Sequence, residues 1–316
     1  MSEVIKKISV LMPVYNCGKY VSYAIKSILQ QTFRDFEFII INDGSTDNTE
    51  SVVKSFDDER IIYRKTENRG TSAALNFGLK LCRNKWVARI DSDDVNSPER
   101  LQTQVRFLEE NPGYDVISSW SVYFRSPNKI LFLLREPVEH SDIYDYLDLH
   151  NPLNQSSIMY RKKLILEEPY NESYRNDEDF ELFYRIRDKV KFYNIPEFLV
   201  YTRWRKDSKS GHVHNINLHE MLFKPAFKNL IDAKSKGDHF YWASVIAWVN
   251  YFYGSRTDAR SYLKNSFSWK NLAAYITTFL PDKYFNKFID SRIKYRLQSL
   301  FTLTGRFKKE LIKLLK

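Results

Sequence analysis

The stretch Asp91-Ser92-Asp93-Asp94 sets three carboxylates within four residues, directly after the apolar run Trp86–Ile90. Carboxylates this close repel one another unless a cation neutralises them. Mg2+ or Mn2+ takes oxygen ligands, usually one or two carboxylates together with phosphate oxygens of a bound substrate. Such an ion stabilises a departing diphosphate. The same residues also read as an acidic turn that caps a helix near Pro98. A second group is Asn42-Asp43-Gly44-Ser45-Thr46-Asp47, with Tyr15-Asn16 upstream. A carboxylate at a strand end accepts a hydrogen bond from the N3–H of uracil, and a tyrosine stacks on the base. Asp43-Gly44 equally makes a plain turn. The third group is Asn176-Asp177-Glu178-Asp179-Phe180-Glu181-Leu182. Acidic residues at a helix start complement the helix dipole. In a cleft, one of them serves as the general base that a weakly nucleophilic sugar hydroxyl requires.

These groups need a frame to bring them together. Ile8–Val14 and Phe36–Ile41 are continuous apolar runs, Ile61–Arg64 is a shorter one, and Trp86–Ile90 closes the series. Between them, Tyr20–Gln31, Thr49–Phe56 and Thr71–Leu81 carry helical spacing, with Asp47 predicted to cap the second helix. This β-α alternation predicts a mostly parallel sheet flanked by helices. Ligands of such sheets sit at the carboxyl ends of the strands, and each polar group above follows a strand. Further on, the pattern predicts a helix over Pro98–Asn111, strands at Val116–Ser126, Lys129–Arg135, Ser156–Tyr160 and Phe198–Trp204, a basic turn at Arg161-Lys162-Lys163, and a helix over Glu178–Arg187. After residue 210 only helices are predicted. The domain change falls near Lys206–His214, giving a catalytic region of residues 1–210 and a helical region of residues 211–316.

The chain has 316 residues and a net charge of +10. That charge is uneven: Lys206–Lys316 holds 20 basic against 8 acidic residues, and the part before it is close to neutral. A basic region points to an anionic partner. Phe285–Lys316 interleaves apolar residues with Lys287, Arg292, Lys294 and Arg296 in an amphipathic helical pattern. It reads either as a helix that docks on an anionic membrane face or as one packed on its own domain. No nucleic-acid motif accompanies the charge, so no nucleic-acid partner is expected. Aromatic residues make up 16% of the chain, suited to a core and to stacking on sugars and bases. Cys17 and Cys82 are too few for a disulfide framework and lack metal-ligand spacing. The longest apolar stretch, Phe240–Tyr253, is short of the roughly 20 residues that span a bilayer. With no signal peptide apparent, the expectation is a cytoplasmic protein, peripheral on the inner face of the plasma membrane if the basic region docks there.

Taken in order, Ser9–Asn16, Ile39–Asp47, Glu67-Asn68-Arg69-Gly70, Asp91–Asp94 with Pro98 and Arg100-Leu101, and Glu178–Leu182 resemble the family 2 glycosyltransferases of GT-A fold, of the bacterial polysaccharide type. The matched motifs cover about two-thirds of the chain. The resemblance implies a GT-A, Rossmann-like α/β fold and inverting transfer of a sugar from a nucleotide-sugar donor, UDP-linked, to a hydroxyl of a glycan or lipid-linked acceptor. It implies that Asp43 reads the base, that Pro13 and Tyr15 line its pocket, and that Asn68, Arg69, Asp91 and Arg205 attend the donor. Asp93 becomes the principal ligand of Mn2+ or Mg2+, with Asp94 supporting. Asp179 becomes the catalytic base and Glu178 an orienting group. An oligomer is compatible with all of this.

Three positions depart from the family pattern. Leu75 stands where Arg is frequent, so one phosphate partner is either missing or replaced by Arg69. Arg203-Trp204-Arg205 stands where Arg-x-His is frequent; Arg cannot ligate a metal but can pair with diphosphate. His212 and His214 lie a few residues on in sequence and read either as substitutes for that His or as surface residues. Gln155, within Asn151–Ser157, stands where an acceptor-side His is frequent. A nucleotide-sugar-binding protein without turnover and a sugar nucleotidyltransferase are the alternatives. The latter usually carries a Gly-rich phosphate loop that Met12–Asn16 does not provide.

Overall fold

The computed structural model describes Ile5 and residues 7–127, 129–148, 151–174 and 177–205. The predicted domain change, the helical region after residue 210, the amphipathic stretch Phe285–Lys316, His212 and His214 all lie outside the described residues. No described helix is long and apolar enough to cross a membrane.

The chain opens as β1 (Ile8–Val14), α1 (Val21–Leu29), β2 (Phe36–Asp43), α2 (Thr49–Lys54), β3 (Ile61–Thr66), α3 (Thr71–Leu81) and β4 (Trp86–Arg89). These strands line up as β3-β2-β1-β4, all parallel. Every residue of β1 and β2 is buried, as continuous apolar runs require when helices cover both faces. On β1, Val10, Met12 and Val14 meet α1 through Val21, Ala24, Ile25 and Ile28. Leu11 faces the other way, onto Ala74, Leu75 and Leu79 of α3. The edge strand β3 is only half-buried and carries Arg64 and Lys65, charges that discourage pairing with another chain.

The second half runs β5 (Val95–Asn96), α4 (Arg100–Glu110), β6 (Val116–Ser126), β7 (Lys129–Leu134), α5 (His140–Tyr146), β8 (Met159–Arg161), α6 (Lys162–Glu167), α7 (Glu178–Ile186) and β9 (Phe192–Arg203). The sheet continues from β4 through β8, β6 and β9 to β5, with β7 beside β6. Here β4–β8, β6–β8, β6–β7 and β5–β9 are antiparallel, and β6–β9 is parallel. The sheet is thus parallel through its first four strands and mixed beyond them.

Several local expectations need correction. The strand expected over Ser156–Tyr160 starts instead with a 3-10 turn, Gln155–Ser157, in which Asn154 Oδ1 accepts from Ser156 N. Only Met159–Arg161 forms strand β8. Lys162 and Lys163 open helix α6 rather than forming a turn. Strand β9 begins at Phe192, six residues before the expected start, because Pro196-Glu197 occupies an irregularity in its pairing with β6. A proline inside a strand hides it from pattern reading. The residue before α2 is Asn48, yet Asp47 supplies the capping chemistry: its Oδ1 accepts from Thr49 N and Thr49 Oγ1.

Candidate functional site

Parallel pairing of β2, β1 and β4 brings their carboxyl ends to one edge. In the register, Val14 lies beside Asn42 and Leu11 beside Arg89. Tyr15 and Asp43 therefore stand next to each other, one step beyond the last paired residues of β1 and β2. Tyr15 is 50% exposed although it is a large aromatic. Pro13, two residues earlier, is buried.

The loops behind these strand ends are clasped together by side chains. Asn16 takes the left-handed conformation, φ 45°, which Asn tolerates better than most residues. Its Oδ1 accepts from Thr46 N at 2.8 Å. Asp47 Oδ2 accepts from Gly18 N, and Thr49 Oγ1 accepts from Cys17 N. Asp43 is 4% exposed. Its Oδ1 accepts from Arg69 N at 2.9 Å and its Oδ2 from Gly70 N at 2.8 Å. The carboxylate thus holds the β3–α3 loop against the end of β2. Gly44 permits this approach: its φ is 70°, and a Cβ there would lie 2.7 Å from Asn68 N. Asn68 and Arg69 are exposed. The Arg69 guanidinium pairs with Glu172 at 2.9 Å, in the loop ahead of α7. Leu75 is fully buried in the core beside Leu11 and Ile41, so position 75 gives the cleft nothing.

After β4, Asp91–Asp94 forms a tight turn in which Asp94 N donates to Asp91 O. Asp91 N donates to Ser156 Oγ at 3.0 Å, and Asp91 Oδ1 accepts from Arg89 Nη2 at 3.0 Å. Asp93 is half-buried, and its carbonyl accepts from Arg203 Nε at 2.9 Å. Asp94 is buried, and its Oδ1 accepts from Arg203 N at 2.7 Å. Burial pushes the Asp94 carboxyl well above the usual carboxylate range. The charges of Asp93 and Asp91 push the same way, against hydrogen bonds from Ser156 and Arg203.

Among the described residues, no group of three or more His, Cys, Asp or Glu is arranged to hold a metal ion. The described residues do not build a protein cage of the kind Ca2+ or structural Zn2+ takes. A crowded acidic turn at a strand end, in which Arg89 pairs with the Asp91 carboxylate, does fit Mg2+ or Mn2+, which accepts one or two carboxylates and completes its shell with phosphate oxygens and water. Asp93 suits the ligand role. Asp94, turned onto Arg203, supports the turn from behind.

Asp177 precedes α7 in the left-handed conformation, φ 57°, which turns the chain so that Glu178 and Asp179 open the helix. Glu178 is 7% exposed, and its Oε1 lies 3.9 Å from Arg89 Nη2. Asp179 is half-buried, and its Oδ2 accepts from Asn151 Nδ2 at 2.9 Å. Asn151 and Gln155 belong to one segment, and Gln155 Oε1 accepts from Arg89 Nη1 at 2.5 Å. Arg205 is half-buried, at the end of the described residues.

The strand ends bring Tyr15, Asp43 and Asp91–Asp94 to one edge, and Arg89 and Gln155 connect that edge to Glu178 and Asp179. Sequence reasoning missed Arg89 and the side chain of Arg203. The Arg203 guanidinium sits 4.6 Å from the Tyr20 ring centroid and 4.5 Å from that of Phe124. An arginine inside the apolar run Trp86–Ile90, just ahead of the carboxylates, was the signal available for Arg89.

Over residues 9–198 the chain matches the sequence profile described as Glycosyl transferase family 2. An uncharacterized glycosyltransferase of Methanocaldococcus jannaschii is 29% identical over 254 residues, 78% of this chain and 85% of that relative. The fold is similar to that of S. aureus TarS 1-349 in complex with UDP, with a TM-score of 0.53 and 17% identity over 87% of this chain and 90% of that one. It is also similar to the mannosyltransferase PcManGT from Pyrobaculum calidifontis in complex with GDP-Man and Mn2+, with a TM-score of 0.54 and 15% identity over 99% and 87% of the two chains. At these identities the two structures speak for a GT-A fold.

Proposed function

The chain belongs to glycosyl transferase family 2, and on that premise we propose that it moves a sugar from a UDP-linked donor to a hydroxyl of a glycan or lipid-linked acceptor, with inversion, in one displacement assisted by Mn2+ or Mg2+. The observation that supports the reading is the arrangement of carboxylates: Asp43 at the end of β2 and the turn Asp91–Asp94 after β4 flank the carboxyl end of β1 on one edge of the sheet. Asp179 opens the helix that the same turn reaches through Arg89.

In this reading Tyr15 stacks on the base and Pro13 backs the pocket. Asp43 accepts the base N–H on a lone pair left over after its two bonds to the Arg69–Gly70 backbone. Asn68, Arg69 and Arg205 attend the diphosphate, and Asp91 attends the ribose or the diphosphate. Asp93, with donor phosphate oxygens, holds the ion; when bound, the ion supplies positive charge against the leaving diphosphate. Asn151 fixes one oxygen of Asp179, which leaves the other to take a proton. The acceptor oxygen forms a bond to the anomeric carbon. The bond from that carbon to the diphosphate breaks, its electron pair leaves with the diphosphate, and the acceptor proton goes to Asp179. One displacement of this kind inverts the anomeric centre.

The basic composition of Lys206–Lys316 supports an anionic membrane face as the place where a lipid-linked acceptor is met. The UDP and GDP-Man held by the two similar structures belong to those proteins; they support a nucleotide-linked donor in this one. A thermal-shift panel of nucleotide sugars, with and without Mn2+, tests the reading, because a ligand that binds only the folded state raises the melting temperature. A Mn2+-dependent shift with UDP-sugars is the expected result. No shift with any nucleotide sugar would overturn it.

A further inference from the structure

We propose that Arg89 is the positioning residue that ties the donor side of the cleft to its acceptor side, holding Asp91 with one arm of its guanidinium and Gln155 with the other while facing Glu178 on the base helix. This rests on the reading of Asp91 as a donor contact and of Asp179 as the base.

Arg89 is the last residue of β4 and is 3% exposed. Alternation along the strand sends Trp86 and Ala88 to the α1 face and Val87 to the α7 face. Arg89, two residues after Val87, emerges on the α7 face below the cleft. There Nη2 donates to Asp91 Oδ1 at 3.0 Å and Nη1 to Gln155 Oε1 at 2.5 Å. Glu178 Oε1, at 3.9 Å from Nη2, is beyond hydrogen-bond length and acts as a neighbouring charge. The guanidinium is therefore shared among three segments that lie far apart in sequence: the acidic turn, the segment before β8, and the start of α7.

Packing alone does not account for it. Burying a guanidinium is unfavourable, and a buried ion pair is often no more stable than apolar residues of the same volume. Burial lowers the proton affinity of Arg89, but Asp91, Tyr170, Glu178 and Asp179 outweigh that and hold it charged. The planar fork is what an apolar residue or a lysine cannot reproduce: two donors, a fixed distance apart, directed at two acceptors. A direct displacement needs donor carbon and acceptor hydroxyl aligned. One rigid plane below both gives the Asp91 turn and the Gln155 segment a common reference.

The consequence is an energetic coupling between Asp91 and Gln155, whose side chains meet through Arg89. UDP affinity, with Mn2+ present, is measured by calorimetry for the parent chain, Asp91→Asn, Gln155→Ala and the double variant. The cycle is repeated on Arg89→Lys, with melting temperatures recorded throughout. Gln155→Ala is expected to weaken UDP binding about tenfold in the parent and hardly at all in Asp91→Asn, so that the cycle in the parent departs from additivity by close to tenfold. In Arg89→Lys the departure falls to within about twofold, in a chain that melts at a lower temperature but still cooperatively. Should Arg89→Lys not fold, the parent cycle decides by itself. Additive effects in a parent that binds UDP overturn the role of Arg89 alone. A parent that binds no UDP overturns the functional reading and this proposal together.

Discussion

The backbone N–H of Arg203 donates to Asp94 Oδ1 at 2.7 Å, so the last carboxylate of the acidic turn is tied to the end of β9. Asp93, one residue earlier, contributes its carbonyl to Arg203 Nε, and that bond does not use its carboxylate. The two aspartates should therefore fail differently. Asp94→Ala leaves a buried N–H unpaired and lowers stability by about 1–3 kcal/mol. Asp93→Ala loses the Mn2+-dependent part of donor binding. Thermal shifts of both variants, with and without Mn2+ and UDP, separate the two. A Mn2+-dependent shift that persists in Asp93→Ala places the ion elsewhere.

Asp43 carries two duties at once. Its oxygens each accept from the Arg69–Gly70 backbone, and its proposed task is to accept from the base. Asp43→Ala is expected to weaken UDP binding by about 1–3 kcal/mol and to lower stability by a similar amount. Calorimetry for UDP and thermal melting, run on the same preparation, resolve the two. A lowered melting temperature with unchanged UDP affinity would confine Asp43 to holding the loop.

Arg100 is fully buried on α4, and burial pushes its guanidinium down to about 9. It donates to Gln104 Oε1, Asn96 Oδ1 and the carbonyls of Arg89 and Ile158. Arg100→Met fills similar volume but strands those acceptors in the interior. Each acceptor left unpaired costs about 1–3 kcal/mol, seen in denaturant unfolding as a lower midpoint at unchanged slope. A midpoint equal to the parent's would mean that the neighbouring polar groups find other partners.

The first ninety residues were legible because the inner strands are buried along their whole length and each connection carries helical spacing. Leu11, Ile39 and Val87 are apolar for packing, and the carboxylates that follow the strands break the pattern where the cleft begins. Beyond Asp94 the signals weaken. Helices α5 and α6 are short, with Ile143 and Ile165 as their buried residues, too few to show a period. Strand β9 is interrupted by Pro196, and β5 has two residues. Motif reading singled out acidic residues that the fold places at strand ends on one sheet edge and at the start of α7. What it missed was cationic and buried: Arg89 and Arg203 are charges at the last positions of β4 and β9, and only the fold reveals that both reach the acidic turn.

Asp179 supports a sharper kinetic expectation. Its Oδ2 is held by Asn151, so Asp179→Asn preserves the side chain's shape and removes its ability to take a proton. Turnover should fall by roughly 10²–10⁴, with UDP affinity close to the parent's, since the proposed role of Asp179 is on the acceptor side. Asn151→Ala should cost less, since it frees the carboxylate without removing it. Unchanged turnover in Asp179→Asn moves the base elsewhere, with Glu178 the first candidate.

The basic region makes a prediction that rests chiefly on charge. If Phe285–Lys316 docks on an anionic surface, the full chain should sediment with vesicles containing acidic lipid and remain free with neutral ones. Each basic residue close to such a surface contributes on the order of 1 kcal/mol, and salt screens that attraction. Replacing Lys287, Arg292, Lys294 and Arg296 together by Glu should abolish sedimentation. Donor binding should be unaffected, because the motifs all precede Lys206. Raised salt should release most of the parent, with the remainder held by Phe285, Phe288, Ile289 and Leu297. Equal sedimentation of parent and charge-reversed chain at low salt would rule out electrostatic docking and point to a helix packed within the protein.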